Sequence, residues 1–354
     1  MDTSASNMGN ATSQAKAVDF HKGPHIAPDF RIYFDLVLAS QPGQRDFTFD
    51  TNHQFLFLEI APTPEISFSF DVSSAPRFFE LDYQLNPRIQ LRAGKIWIPW
   101  DDLSPHNIYG GRVNVSKLQI SGGAAFLPDI WTDLGVGIRF TGMDTAALKI
   151  LADLYMVNGF GSGGKDPSAD TANPPEAYPS FSDLPSSADN NRDKAIGGRV
   201  QATFARRLSV GASVYTGRWN AQNAPESYRV NMGGLDSQLR LGYTEFRGGI
   251  SAFFVGIPPG SSPAGENVSI TRGGWYLEAG QRFGNEGKWK LLGRGGMVQL
   301  DNRVKAVSDQ TLVGGAIVWK PNALQLSFET SRDLNSDVGK ANYTYSAFRL
   351  VVAL

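Results

Sequence analysis

The sequence predicts an all-β protein: a transmembrane antiparallel β-barrel of about sixteen strands whose third loop folds inward. Three observations lead there. Apolar residues recur at every second position in one segment after another, the period of a strand with one apolar and one polar face. Short turns alternate with long polar connections, as when one barrel rim carries tight turns and the other carries loops. No run approaches the roughly 18 apolar residues of a membrane-crossing helix, which excludes helical spans and leaves barrels open.

Composition narrows the alternatives. The 354 residues carry a formal charge of -1, and no basic block marks a nucleic-acid binder. The absence of Cys rules out disulfides and thiolate metal sites. Met1 to Lys16 is rich in Ser, Asn and Ala and lacks the apolar core of a signal peptide. The expectation is a mature exported chain of the bacterial outer membrane. Residues 1–28 form a flexible N-terminal segment and 29–354 the barrel.

The strands follow in order. Phe30, Ile32, Phe34, Leu36 and Leu38 alternate with polar neighbours, and Leu56, Leu58 and Ile60 share a face of the next run. Ala61-Pro62-Thr63-Pro64 turns the chain into Ile66 to Val72, and Phe79, Leu81, Tyr83 and Leu85 mark the fourth strand. Asn86-Pro87 leads into Arg88 to Ile98, with Ile89, Leu91 and Ala93 opposed to Arg88, Gln90, Arg92 and Gly94. This strand ends in Trp97, Pro99 and Trp100 and empties into the long segment Pro99 to Ile130. Leu134, Val136, Ile138 and Phe140 mark the strand that follows. Ala147 to Asn158 also suits a helix, but its neighbours favour a strand. The polar stretch Gly159 to Lys194 reads as a surface loop rather than a linker, because hairpins resume after it in the same style. Four hairpins and a final strand ending at Leu354 complete the count. Treating Val113 to Ile120 as loop keeps the strand number even. Trp97, Trp131, Tyr243, Trp275, Phe283, Trp289 and Trp319 lie near strand ends, where an interfacial girdle belongs.

Short motifs then resemble one family. Arg92-Ala93-Gly94-Lys95 followed by Pro99-Trp100 resembles the strand entering the constriction loop of the phosphate-selective porin (O/P type) family. Asp133-Leu134-Gly135-Val136 with Thr141-Gly142 resembles the strand after that loop, and Tyr155-Met156-Val157-Asn158-Gly159 the end of the next. The resemblance implies a sixteen-stranded outer-membrane barrel, assembly as a homo-trimer, and anion selectivity through lumenal Arg and Lys. The lumenal phase does hold Arg31, Arg92, Arg139, Arg199, Arg240, Arg282 and Arg349, with Lys290 and Arg294. It also holds Asp35, Glu59, Glu65, Asp71, Glu80, Asp82, Asp133, Glu278 and Glu329, which largely cancel them at a distance. Phosphate selectivity therefore does not carry over, and wall salt bridges are the plainer reading.

The expected constriction and pore lining comprises Asp101, Asp102, His106, Arg112 and Lys117 on the loop, facing Arg92, Arg139 and Arg199 on the wall. Asp101-Asp102 could equally cap a turn after Pro99. No cofactor or metal is expected: His21 and His25 are four apart but lack a third ligand. No nucleophile can be singled out beside His53, so no enzyme is expected. The functional expectation is passive diffusion of small polar or charged solutes, anions among them. Membrane lipid and lipopolysaccharide would surround the barrel. The alternative is a structural or partner-binding barrel with an occluded lumen.

Overall fold

The computed structural model describes residues 25–40, 47–72, 78–100, 131–161, 179, 181, 192–220, 226–258, 269–299, 302, 309–321, 324–334 and 344–353. The strands are β1 (His25–Ser40), β2 (Phe47–Thr63), β3 (Ile66–Asp71), β4 (Phe79–Asn86), β5 (Ile89–Trp97), β6 (Thr132–Asp144), β7 (Leu148–Val157) and β8 (Ala195–Phe204). They continue as β9 (Leu208–Arg218), β10 (Arg229–Leu241), β11 (Thr244–Gly256), β12 (Ser269–Phe283), β13 (Trp289–Gln299), β14 (Asp309–Trp319), β15 (Leu324–Asp333) and β16 (Thr344–Ala353). Each pairs antiparallel with its sequence neighbours, and β1 closes against β16 with Phe34 opposite Val352 and Leu38 opposite Phe348. Closure removes the free edge that no sheet can present to hydrocarbon.

The strand order is the expected one, with shifted bounds. β1 begins at His25 rather than Asp29, so the boundary expected at residue 28 falls inside a strand. The ambiguous run after Ala147 is the strand β7. Every short connection lies on one rim and every long one on the other. Strand spacing near 4.8 Å and a tilt near 40° put the backbone diameter at roughly 30 Å. The wall is lowest where β3, β4 and β5 have 6, 8 and 9 residues, against 13, 13 and 15 in β10, β11 and β12.

Alternation sorts the side chains. Leu154, Met156, Ile196, Val200, Val214, Leu235, Ile250, Leu277, Leu291 and Phe348 remain exposed on the outer face. A continuous apolar belt of this extent suits hydrocarbon rather than water. At the short-turn rim Phe283, Trp289 and Trp319 form a row, with ring centroids 6.4 and 6.1 Å apart, as an interfacial girdle requires. Trp131 is a correction to that girdle: only 2% exposed, it packs inside the barrel. Its ring meets Trp100, Phe160 and Tyr215 rather than lipid.

Local geometry explains two of the motifs. Gly94 has φ +122°, and a Cβ there would lie 2.3 Å from the Phe79 carbonyl oxygen. The motif after Arg92 therefore needs Gly where β5 bends beside β4. Gly159 has φ +96° and turns the chain over the lumen directly after β7.

Candidate functional site

The register of β4 to β8 builds a band of ion pairs on the lumenal wall. Asp82 lies opposite Arg92, Arg139 opposite Asp153, and Asp153 opposite Arg199. Opposite charges facing each other across strands stabilise the pairing. Arg92 grips Glu80 bidentately, Nε to Oε1 at 2.6 Å and Nη2 to Oε2 at 2.8 Å. It also lies 4.0 Å from Asp82 and 3.8 Å from Asp153. Arg139 Nε donates to Asp153 Oδ1 at 2.8 Å. Arg199 forks onto both Asp236 oxygens, Nη2 to Oδ1 at 2.8 Å, and donates to Ser213 Oγ at 3.0 Å. Nearer the short turns, Glu245 accepts from Gln238 at 2.5 Å and from Arg247 Nε at 2.6 Å, with Lys290 Nζ at 3.5 Å.

The band is uneven around the barrel. Among the described lumenal side chains, β2 to β4 contribute acids: Glu59, Asp71, Glu80 and Asp82. On the opposite wall, β10 to β13 contribute Arg240, Arg247, Arg272, Arg282, Lys290 and Arg294 against Asp236, Glu245 and Glu278. β3 and β11 are half the circumference apart in a closed ring of sixteen strands, so an acid-rich wall faces a base-rich one.

Above the band, toward the long loops, the lumen holds a packed apolar core. The rings of Trp100, Trp131, Phe160, Phe181, Tyr215 and Phe253 touch in series, with centroids 5.0 to 6.1 Å apart. Trp100, just past the end of β5, donates from Nε1 to Ser251 Oγ of β11 at 3.3 Å. Its ring covers Gly234 of β10, where a Cβ would lie 3.0 Å from it. Ile98 N–H donates to the Trp131 carbonyl at 2.9 Å, closing the root of the third loop. The Gly159 N–H donates to Asp133 Oδ2 at 2.6 Å, and the Phe160 N–H to the Tyr215 hydroxyl at 3.3 Å. Asp133 and Gly159 thus join the strand motif after the third loop to the motif ending β7. Arg272 lies 4.0 Å over the Phe181 ring.

Of the wall residues expected from sequence, Arg92, Arg139 and Arg199 face the lumen in one band, and each is ion-paired. Asp101, Asp102, His106, Arg112 and Lys117 lie outside the described residues, as does His21. The side chains of Arg31, Asp35 and His53 are likewise not among those described. Glu65 sits on the short turn rather than on the wall. Sequence reasoning missed Asp153, Asp236, Glu245, Arg247 and the apolar core. Asp153 shares the polar phase of Lys149 and could have been found once Ala147 to Asn158 was taken as a strand. Arg247 adjoins Gly248-Gly249, and Asp236 follows Gly233-Gly234 after one residue; both glycine pairs thin the alternation.

No protein-family profile matches the chain, and no curated protein sequence matches it. Solved structures do. OmpT of Vibrio cholerae with loop L8 deleted, an outer membrane protein, aligns with TM-score 0.58 at 12% identity over 92% of this chain and 99% of that one. OmpT has also been solved in a trimer form, with TM-score 0.54 at 11% identity over 92% and 99%. The anion-selective porin of Comamonas acidovorans aligns with TM-score 0.57 at 11% identity over 93% and 99%. The outer membrane channel DcaP of Acinetobacter baumannii gives 0.56 at 11% over 92% and 97%. At such identity the likeness is one of fold. With its apolar belt and closed sheet, the chain has the fold of a bacterial outer-membrane β-barrel, and its structural neighbours are outer-membrane porins.

Proposed function

We propose that the protein is an outer-membrane porin, a passive diffusion channel for small polar or charged solutes. The observation that carries this reading is the charged lumenal band, acid-rich on β2 to β4 and base-rich on β10 to β13. Ionised groups keep a lumen wet, and opposed walls let solutes of both signs pass along different sides. The pairing of Arg92, Arg139 and Arg199 with carboxylates favours weak ion selectivity over a strong anion filter. Kinship with the phosphate-selective family rests on the short motifs alone. Asp101, Asp102, His106, Arg112 and Lys117 stay in the proposal as the loop side of the constriction. Assembly as a homo-trimer in lipid and lipopolysaccharide belongs to this reading, supported by the trimer form among the structural neighbours and by the low wall at β3 to β5. No catalytic role is part of it.

Planar bilayers test the reading. Stepwise openings of constant size are expected, with a reversal potential near zero in a salt gradient; a folded protein that never opens would refute it. The second reading, a structural or partner-binding barrel, draws on the apolar core that fills one side of the lumen. It predicts silence in the same assay.

A further inference from the structure

We infer that the outer face of β4 to β8 carries a docking cleft for lipid A, the acylated and phosphorylated anchor of lipopolysaccharide; this deepens the lipid contact in the porin reading above and rests on its outer-membrane placement. Register builds one cross-strand row at the long-loop end of this wall. Lys95 of β5 pairs with Phe79 of β4 and with Leu134 of β6. The Asn158 N–H donates to the Leu134 carbonyl at 3.1 Å, and Lys194 Nζ donates to Asn158 Oδ1 at 3.1 Å. Ile96 and Ala195, chain neighbours of the two lysines, are buried in the lumenal core, so alternation turns Lys95 and Lys194 outward. Three strand spacings separate them, about 14 Å. Asp193, the acid next to Lys194, takes a hydrogen bond from Arg218 at 3.2 Å. One pleat below, Leu81, Ala93, Val136 and Met156 form the next outward row. Ala93 is short where its neighbours are long, and a cleft of about 590 Å³ opens over it, with Leu91 and Leu154 on its lower side. Bases above an apolar cleft match the layering of an acylated anion, with phosphate at the rim and a fatty acyl chain along the wall. Two bases this far apart suit a disaccharide with a phosphate at each end, as in lipid A, rather than a phospholipid with one. The long-loop rim of such a barrel faces outside, where lipopolysaccharide is the lipid. A second copy of the chain would meet the lysines with its apolar belt, which offers them no counter-charge.

Native mass spectrometry of the full chain, refolded without lipopolysaccharide and titrated with bisphosphoryl lipid A, counts the bound lipid. One tightly held lipid A per chain is expected. Lys95→Gln with Lys194→Gln should weaken it at least about tenfold, since each base near an anionic headgroup adds to the attraction. Monophosphoryl lipid A should bind the parent about fivefold more weakly than the bisphosphoryl form. Ala93→Leu, which fills the cleft without adding charge, should weaken binding at least about tenfold. Lys288→Gln, at the opposite rim, should change nothing. The cleft is overturned if the parent holds no lipid A, if the lysine pair can be removed without loss, or if Lys288→Gln costs as much. Equal affinity for phosphatidylglycerol would also overturn it, because any anionic lipid would then serve. So would an Ala93→Leu protein that keeps lipid A but loses its oligomer, which would give the cleft to a second copy. Should Ala93→Leu fail to fold, the lysine pair decides alone. A protein that binds lipid A but never opens in planar bilayers would sink the porin reading and leave the cleft standing.

Discussion

Glu80→Gln is the sharpest probe of the lumenal band. The carboxylate takes two short hydrogen bonds from Arg92, at 2.6 and 2.8 Å, and both side chains are nearly closed to water, at 4% and 6% exposure. The amide keeps the volume but offers one acceptor, so one Arg92 donor faces an NH2 group. A charge-assisted pair becomes a single neutral-acceptor bond. Asp82 at 4.0 Å and Asp153 at 3.8 Å still hold the guanidinium, which limits the damage. The expected loss is about 2 kcal/mol, the worth of a hydrogen bond to a charged group. Urea unfolding in lipid vesicles, followed by Trp fluorescence, measures it. The same change removes one negative charge from the acid-rich wall. The reversal potential in a KCl gradient should therefore shift toward anion preference. If neither stability nor reversal potential moves, the band is not a working part of this protein.

Three further changes test other layers of the argument. Gly197→Ala would place a Cβ 2.3 Å from the Tyr155 hydroxyl oxygen, and Tyr155 is buried; a loss of about 1–3 kcal/mol is expected, read as a lower temperature for the heat-induced gel shift. Ala205 and Arg206 hold φ of 45° and 57° at the centre of the turn in the three-residue connection between β8 and β9, so Ala205→Asn with Arg206→Gly should stabilise the barrel by about 1 kcal/mol in urea. Leu277→Arg, on the outer face of β12, should cost about 2–4 kcal/mol in vesicles if that face meets hydrocarbon, and almost nothing if it meets water.

Most of the architecture was legible in the chain because its cause is local. A strand alternates faces at a period of two, so Ile89, Leu91 and Ala93 declare an outer face and Arg88, Gln90 and Arg92 an inner one before any partner is known. Turn residues and loop lengths then order the rims, and strand parity follows. Register is less local. That Asp82 stands opposite Arg92 depends on a bulge at Leu85, because the Asn86–Ile89 pairing beside the turn, continued without a shift, would put Ala93 there instead. The meeting of Arg199 with Asp236, across β9, is not readable, because it depends on the register of two successive hairpins and on side-chain reach.

The lumenal core lies furthest from the sequence. Trp131 and Trp289 both sit at strand ends with similar neighbours, yet one packs inside the barrel and the other stands in the outer girdle. The difference is the side of the wall on which the ring finds its partners. Trp131 packs on Tyr215 of β9 and on Trp100, which itself reaches β11. The alternating pattern of this protein thus specifies a membrane barrel strand by strand. Which aromatic rings pack inside it, and which charges neutralise one another, is decided only when closure brings distant strands around one lumen.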